Sequence, residues 1–199
     1  MLKILRSREN IPLVSAAAII LMVVFAWFAP AEATLGKAVK LVYVHAAMMW
    51  VGIGLISLGG IAGLLFLFFR NEAIIRWSSG SAVVGVALFA LTGFLGAVTA
   101  KITWGGVFWA EPRMAMLGQI FFVAAVAAIA VRISGSKTIA GLANLGLGII
   151  TWVLIIRTER VIHPDSPIFR SDSIAIKVFP LLIAGMLTIA SLQIVRYWM

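Results

Sequence analysis

The chain has 199 residues, of which 63% are hydrophobic and 12% charged; its mean hydropathy is +1.12 and its formal net charge +9. That composition excludes a soluble globular domain, and the absence of cysteine excludes disulfides, thiolate redox centres, sulfur-based zinc sites and C-x-x-C-H attachment. No G-x-x-x-x-G-K-[ST] phosphate loop is present, so the chain does not power transport by itself.

A helix needs about 20 residues to cross a hydrocarbon core of about 30 Å, and apolar runs of that length recur along the chain. The first, 11–28, follows Lys3, Arg6 and Arg8 and stops before Pro30. Ala31-Glu32-Ala33 could pass for a signal-peptidase site, but the run exceeds the usual h-region of about 7–15 residues, so a retained span is expected. A second run, 43–69, ends at Arg70-Asn71-Glu72, and a third, 79–100, at Lys101. The fourth, 114–131, leads into Arg132 and a Ser134-Gly135-Ser136-Lys137 turn. The fifth is 138–156, ending at Arg157, and the sixth, 174–195, follows a polar stretch reaching Asp172. The expected fold is all-α, a polytopic membrane protein with six transmembrane helices, a single domain over 1–199 surrounded by lipid bilayer.

The sixteen basic residues divide evenly between the two faces, so the positive-inside count ties. The three basic residues ahead of the first span favour a cytoplasmic N-terminus. The surplus on the other face is then available to an anionic ligand. With the charge clustered at helix ends near headgroups, no nucleic-acid partner is implied. Gly59 with Gly63, and Gly93 near Gly96, suit close helix packing, and Pro180 is expected to kink the last helix.

The residues with chemical potential gather at the outer face. The chain's only two histidines, His45 and His163, both fall where an apolar run meets a polar segment on that side. Met48 and Met49 share the helical face of His45 and read as packing; Pro164 and Pro167 stiffen the segment of His163, with Asp165 nearby. The loop 101–113 between the third and fourth spans carries Trp104, Gly105, Phe108, Trp109, Glu111 and Arg113. Trp27, Trp50, Trp77 and Trp198 read as ordinary belt residues, but here aromatics surround a Gly-Gly. Indole faces can stack on a flat ligand, and Arg113 with Arg157, Arg160 or Arg170 can pair with carboxylates. Two neutral imidazoles beside such a ledge suit a metal-centred planar ligand.

These residues resemble a specific family, the haem exporter C proteins of cytochrome c maturation, within the wider haem-handling cytochrome c assembly family. Tyr43-Val44-His45 looks like the first histidine motif, His163 like the second, and Trp104-Gly105 and Glu111-Pro112-Arg113 like the boundaries of the tryptophan-rich loop. The match spans the chain in architecture and about thirty residues in motif. Phe108 and Ala110 stand where tryptophan is typical, Trp109 is out of step, and Glu111 replaces an aspartate.

The resemblance implies a haem-presenting protein of the cytoplasmic membrane rather than a conventional enzyme. Haem b would rest non-covalently at the outer face with His45 and His163 as axial ligands. It would be passed to a membrane-anchored haem chaperone, beside an ATP-binding cassette complex and a small single-span subunit. Two other readings remain open. A membrane-anchored b-type electron carrier would bury its histidines within the bundle, and a small-solute permease subunit would carry polar residues in mid-membrane.

Overall fold

The structure, a computed structural model, describes residues 7–158, 168 and 171–198. Its regular elements are helices: α1 (Ile11–Phe28), α2 (Val39–Phe69), α3 (Glu72–Trp104), α4 (Pro112–Ser134), α5 (Lys137–Arg157) and α6 (Ile174–Tyr197). Each is long and apolar enough to cross a membrane. Their outer faces are greasy at mid-length: Phe94 is 71% exposed and Phe122 and Leu181 are each 70% exposed. Only a lipid solvent makes such surfaces stable on an isolated chain.

The architecture is three antiparallel helix pairs. The α2–α3 hairpin forms the centre, α1 packs with α6 on one flank, and α4 packs with α5 on the other. Helix α2 touches α1, α3, α5 and α6. It achieves this with two glycine stripes on adjacent faces. Gly52 and Gly59 meet Gly85, Ala82 and Ser78 of α3, while Gly60 and Gly63 meet Gly148 and Gly141 of α5. In lipid no hydrophobic force pulls helices together, so close approach of backbones through small residues supplies the packing. The sequence-based pairing of Gly59 with Gly63 as one packing motif is therefore divided: each glycine serves a different neighbour.

A polar chain crosses the same seams. Asn144 Nδ2 donates to Ser78 Oγ at 2.9 Å, and Ser78 Oγ donates to Gly59 O at 2.7 Å, linking α5, α3 and α2. Trp152 Nε1 similarly donates to Ser57 Oγ at 2.8 Å. We expect Ser78→Ala to lower stability by about 0.6–1.7 kcal/mol, from the average to the largest value for hydrogen bonds between membrane helices. Chemical denaturation in detergent measures it, and an unchanged midpoint would contradict the link.

The helix ends explain the short turns. Arg70 adopts a left-handed φ of 52° and donates its backbone N–H to Phe66 O; Asn71 Oδ1 then accepts from Ala73 N to start α3. Gly135, at φ 59°, ends α4, and Ser136 caps α5. Arg70 Nη1 donates to Thr138 Oγ1 at 2.7 Å, and Lys137 pairs with Glu72 at 2.7 Å, so these two turns share one end of the bundle. Such an exposed pair contributes about 0–1 kcal/mol, and its value here is in showing register.

At the other end, Glu32 closes a turn with Gly36, and its carboxylate accepts from Thr34 N and Leu35 N at 2.8 and 2.9 Å. The Leu35 N–H above all holds the Glu32 carboxyl below its ordinary range. The Ala31-Glu32-Ala33 segment is thus part of a folded turn, and Lys40 Nζ donates back to Trp27 O. Tyr43, fully buried, packs with Ala29, Val39, Ile168, Ile176 and Ile183, and donates from its hydroxyl to Pro30 O at 3.3 Å.

Several helix bounds differ from the sequence expectation. Helix α2 starts at Val39 rather than 43, and α3 runs over Glu72–Trp104 rather than 79–100. Polar residues such as Arg76 and Lys101 break a hydropathy run but not a helical hydrogen-bond ladder. Pro180 lies inside α6, which continues past it to Tyr197.

Candidate functional site

His45 lies six residues into α2, about 9 Å along the axis from its start at about 1.5 Å per residue. With 31 residues α2 spans about 46 Å, so about 8 Å projects at each end of a centred hydrocarbon core of about 30 Å. His45 therefore sits near the polar boundary, as its sequence context implied. Its ring, however, is turned inward between α2 and α3 rather than outward at a rim.

The seat is specific. His45 Nδ1 lies 3.1 Å from Thr92 O. A carbonyl only accepts, so Nδ1 carries the proton and the lone pair of the neutral ring falls on Nε2. One turn further along α3 is Gly96, whose missing side chain makes the space: a Cβ there would stand 2.8 Å from His45 Cε1 and 3.2 Å from Nδ1. Gly96, expected to serve helix packing, instead houses the imidazole. Gly93 fits the packing expectation, with a Cβ there meeting Leu117 Cδ1 at 3.4 Å. His45 has a further interaction besides that with Thr92, and it is half-buried.

Met48 and Met49 do not join His45 as donors but diverge into packing. Met48 packs against Val51, Leu55 and Leu88, and Met49 against Phe89, Met116 and Ile120.

The aromatic loop is shorter than the sequence implied. Lys101 to Trp104 complete α3, so the non-helical part is 105–111. Gly105 adopts φ 79°, a conformation that favours glycine, and neither Gly105 nor Gly106 has anything within 4 Å of an added Cβ. The loop is open at these two glycines. Trp104 is half-buried at the helix end, while Phe108 is 43% and Trp109 75% exposed. Glu111 is buried and its backbone begins α4, with Met114 N donating to Glu111 O at 2.9 Å. Arg113 is half-buried in the first turn, and Trp104, Glu111 and Arg113 each have a polar or ring partner.

A hollow of about 660 Å³ opens beside this loop, between the start of α4 and the end of α5. Pro112, Met116, Gln119, Leu154 and Arg157 line it. Its volume is that of ordinary small-molecule sites. Arg157 is exposed and, among the described residues, makes no hydrogen bond or ion pair. Met116 joins the hollow to the cluster that includes Met49, one helical turn from His45.

His163 and Arg160, together with Asp165 and Arg170, lie outside the described residues. The chain leaves α5 at Thr158, on the rim of the hollow, and Ile168 is buried against Val39 and Tyr43 at the start of α2. Among the described residues no group of three or more His, Cys, Asp or Glu side chains could hold a metal ion. The contact of His45 Nδ1 with Thr92 O is of the kind that orients a ligating imidazole, which characteristically donates its second N–H to a carbonyl or carboxylate.

Thr92 is not among the residues that the sequence singles out with His45. Thr92 has no sequence signal for this role, because what it offers is a backbone carbonyl. Arg157 is one of four arginines that the sequence offers to a ligand's carboxylates, and the structure sets it on the rim of the hollow.

Fold and site together define a polytopic α-helical membrane protein with an inward-turned histidine near one boundary. No protein-family model matches the chain, and none of the curated proteins is similar to it.

Proposed function

We propose that the protein binds haem b non-covalently at its outer end and presents it to a membrane-anchored haem chaperone during cytochrome c biogenesis. In this reading it lies in the cytoplasmic membrane with the haem site outward, beside an ATP-binding cassette complex and a small single-span subunit. It acts as a carrier and not as a conventional enzyme. The observation that supports it is the seat of His45, whose Nδ1 is directed at Thr92 O so that Nε2 takes the donor lone pair.

Haem is the cargo, and its iron requires axial donors that can both hold and release it. His45 and His163 are the proposed axial pair. Trp104, Phe108 and Trp109, around Gly105, offer aromatic surface, and the exposure of Phe108 and Trp109 suits a cargo that a second protein must reach. Arg157 at the hollow, with Arg113 and Arg160, is matched to propionate carboxylates. Glu111 at the start of α4 fixes the far end of the loop.

Purified protein reconstituted with haem is expected to show a low-spin Soret and α/β spectrum that His45→Ala with His163→Ala abolishes, with haem affinity falling at least tenfold. A spectrum unchanged in the double variant would remove the assignment of both ligands.

The inward seat of His45 also favours a second reading, a b-type electron carrier, because such carriers hold their ligands between helices. Reversible reduction of bound haem by a quinol would select this second reading. Haem transfer to an apo-chaperone without quinol-dependent reduction would select the first.

A further inference from the structure

At the end opposite His45, the α2–α3 and α4–α5 turns meet the C-terminus of α6 around a slot of about 380 Å³. Its walls are apolar, formed by Ile75, Val83 and Val84 of α3, Val131 of α4 and Ala140 of α5. Its rim carries Arg76, Lys137 and Trp198. Lys137 is held by Glu72 at 2.7 Å. Arg76 is exposed and, among the described residues, makes no hydrogen bond or ion pair, although Glu72 stands one turn before it on α3.

The slot runs along the helix from this cation towards mid-membrane. Val83, seven residues beyond Arg76 and so about 10 Å deeper, is 62% exposed. Trp198, at 70% exposed, marks the level where indoles favour the headgroup zone. A cation at that level above an apolar channel is complementary to a molecule with an anionic head and an acyl tail. A soluble anion would gain nothing from the walls. A zwitterionic headgroup would have to compete with Lys137 for Glu72, the carboxylate at the rim.

We infer that this slot seats one anionic phospholipid, its phosphate on Arg76 and an acyl chain along Val83, Val84 and Val131. The site is independent of the haem reading, since it shares no residue with it.

The test is native mass spectrometry of the full chain in detergent, titrated with phosphatidylglycerol and with phosphatidylcholine of the same chain length. Phosphatidylglycerol is expected to bind selectively. Arg76→Gln should weaken it about fivefold, the effect of one basic residue near a membrane surface, and leave phosphatidylcholine unchanged. Val83→Trp, which fills the slot without altering charge, should also lower phosphatidylglycerol occupancy. Arg132→Gln removes a cation at the same end outside the slot and should have no effect. Equal losses in Arg76→Gln and Arg132→Gln would reduce the site to diffuse surface charge and overturn the inference. So would full occupancy in Val83→Trp, or displacement of the lipid by excess inorganic phosphate.

Discussion

Gly63→Ala is expected to destabilise the protein by about 1–3 kcal/mol, the range for forcing extra volume into a packed interior. A Cβ at Gly63 would stand 2.5 Å from Gly141 O and 3.2 Å from Ser78 Oγ. The first of these atoms belongs to the backbone of α5, so no rotamer change relieves the clash. Helices α2 and α5 must separate, and the hydrogen bond between Asn144 and Ser78 lies across the same seam. Gly54→Ala is the matched control, on the same helix but with nothing within 4 Å of the added carbon. It should be neutral or stabilising by about 0.5–1 kcal/mol, because alanine restricts the unfolded chain more than glycine does. Parallel denaturation curves in detergent decide the matter. Equal midpoints for the two variants would mean that the α2–α5 contact does not set the packing.

Gly96→Ala should have the second large effect, with a different signature. Gly96 follows Thr92 by one helical turn, so its added carbon would occupy the place where the His45 ring reaches the Thr92 carbonyl. The 2.8 Å approach to Cε1 requires the imidazole to shift, and with it the contact between Nδ1 and Thr92 O. Loss of a partner that orients a ligating histidine typically costs 10–100-fold in affinity, and that loss is expected for haem. A readout independent of haem is the nitrogen NMR signature of selectively labelled His45: a single Nδ1–H tautomer in the parent chain and a mixture in the variant. An unchanged tautomer in Gly96→Ala would show that the seat does not depend on the missing side chain. Retained haem affinity with a changed tautomer would instead separate the seat from the binding of haem.

The six spans were legible because the test for a membrane helix is local. Each apolar run meets the length needed to cross hydrocarbon, and each appears as a helix in the structure. The ends were less legible. Arg76, Trp77 and Ser78 interrupt the apolar run, so hydropathy starts the third span at 79, yet the helix begins at Glu72, because Asn71 caps it there. For the same reason the aromatic loop is shorter than its polar boundaries suggest, since Lys101 is polar but still helical. Of the candidate site residues, His45 stood out through its rarity and its place at the edge of a span. Trp109 and Phe108 stood out as aromatics around glycine, and both prove to be exposed. The role of Gly96 was hidden. In sequence it is one of 18 glycines, and nothing local separates a glycine that admits another helix from one that admits an imidazole.

Composition alone settled the solvent. A chain this apolar in runs this long must satisfy its backbone within helices and place them in lipid, and that follows from hydrogen bonding and transfer free energy without any tertiary contact. The neighbours of each helix were a different matter. That α2 turns Gly59 towards α3 and Gly63 towards α5, that His45 reaches Thr92 O, and that Arg76 is left beside an apolar slot all depend on helix rotation and pairing. Those are chosen by the fit of surfaces from distant parts of the chain, and in lipid that fit is steric and hydrogen-bonded rather than hydrophobic, so a hydropathy pattern carries no record of it.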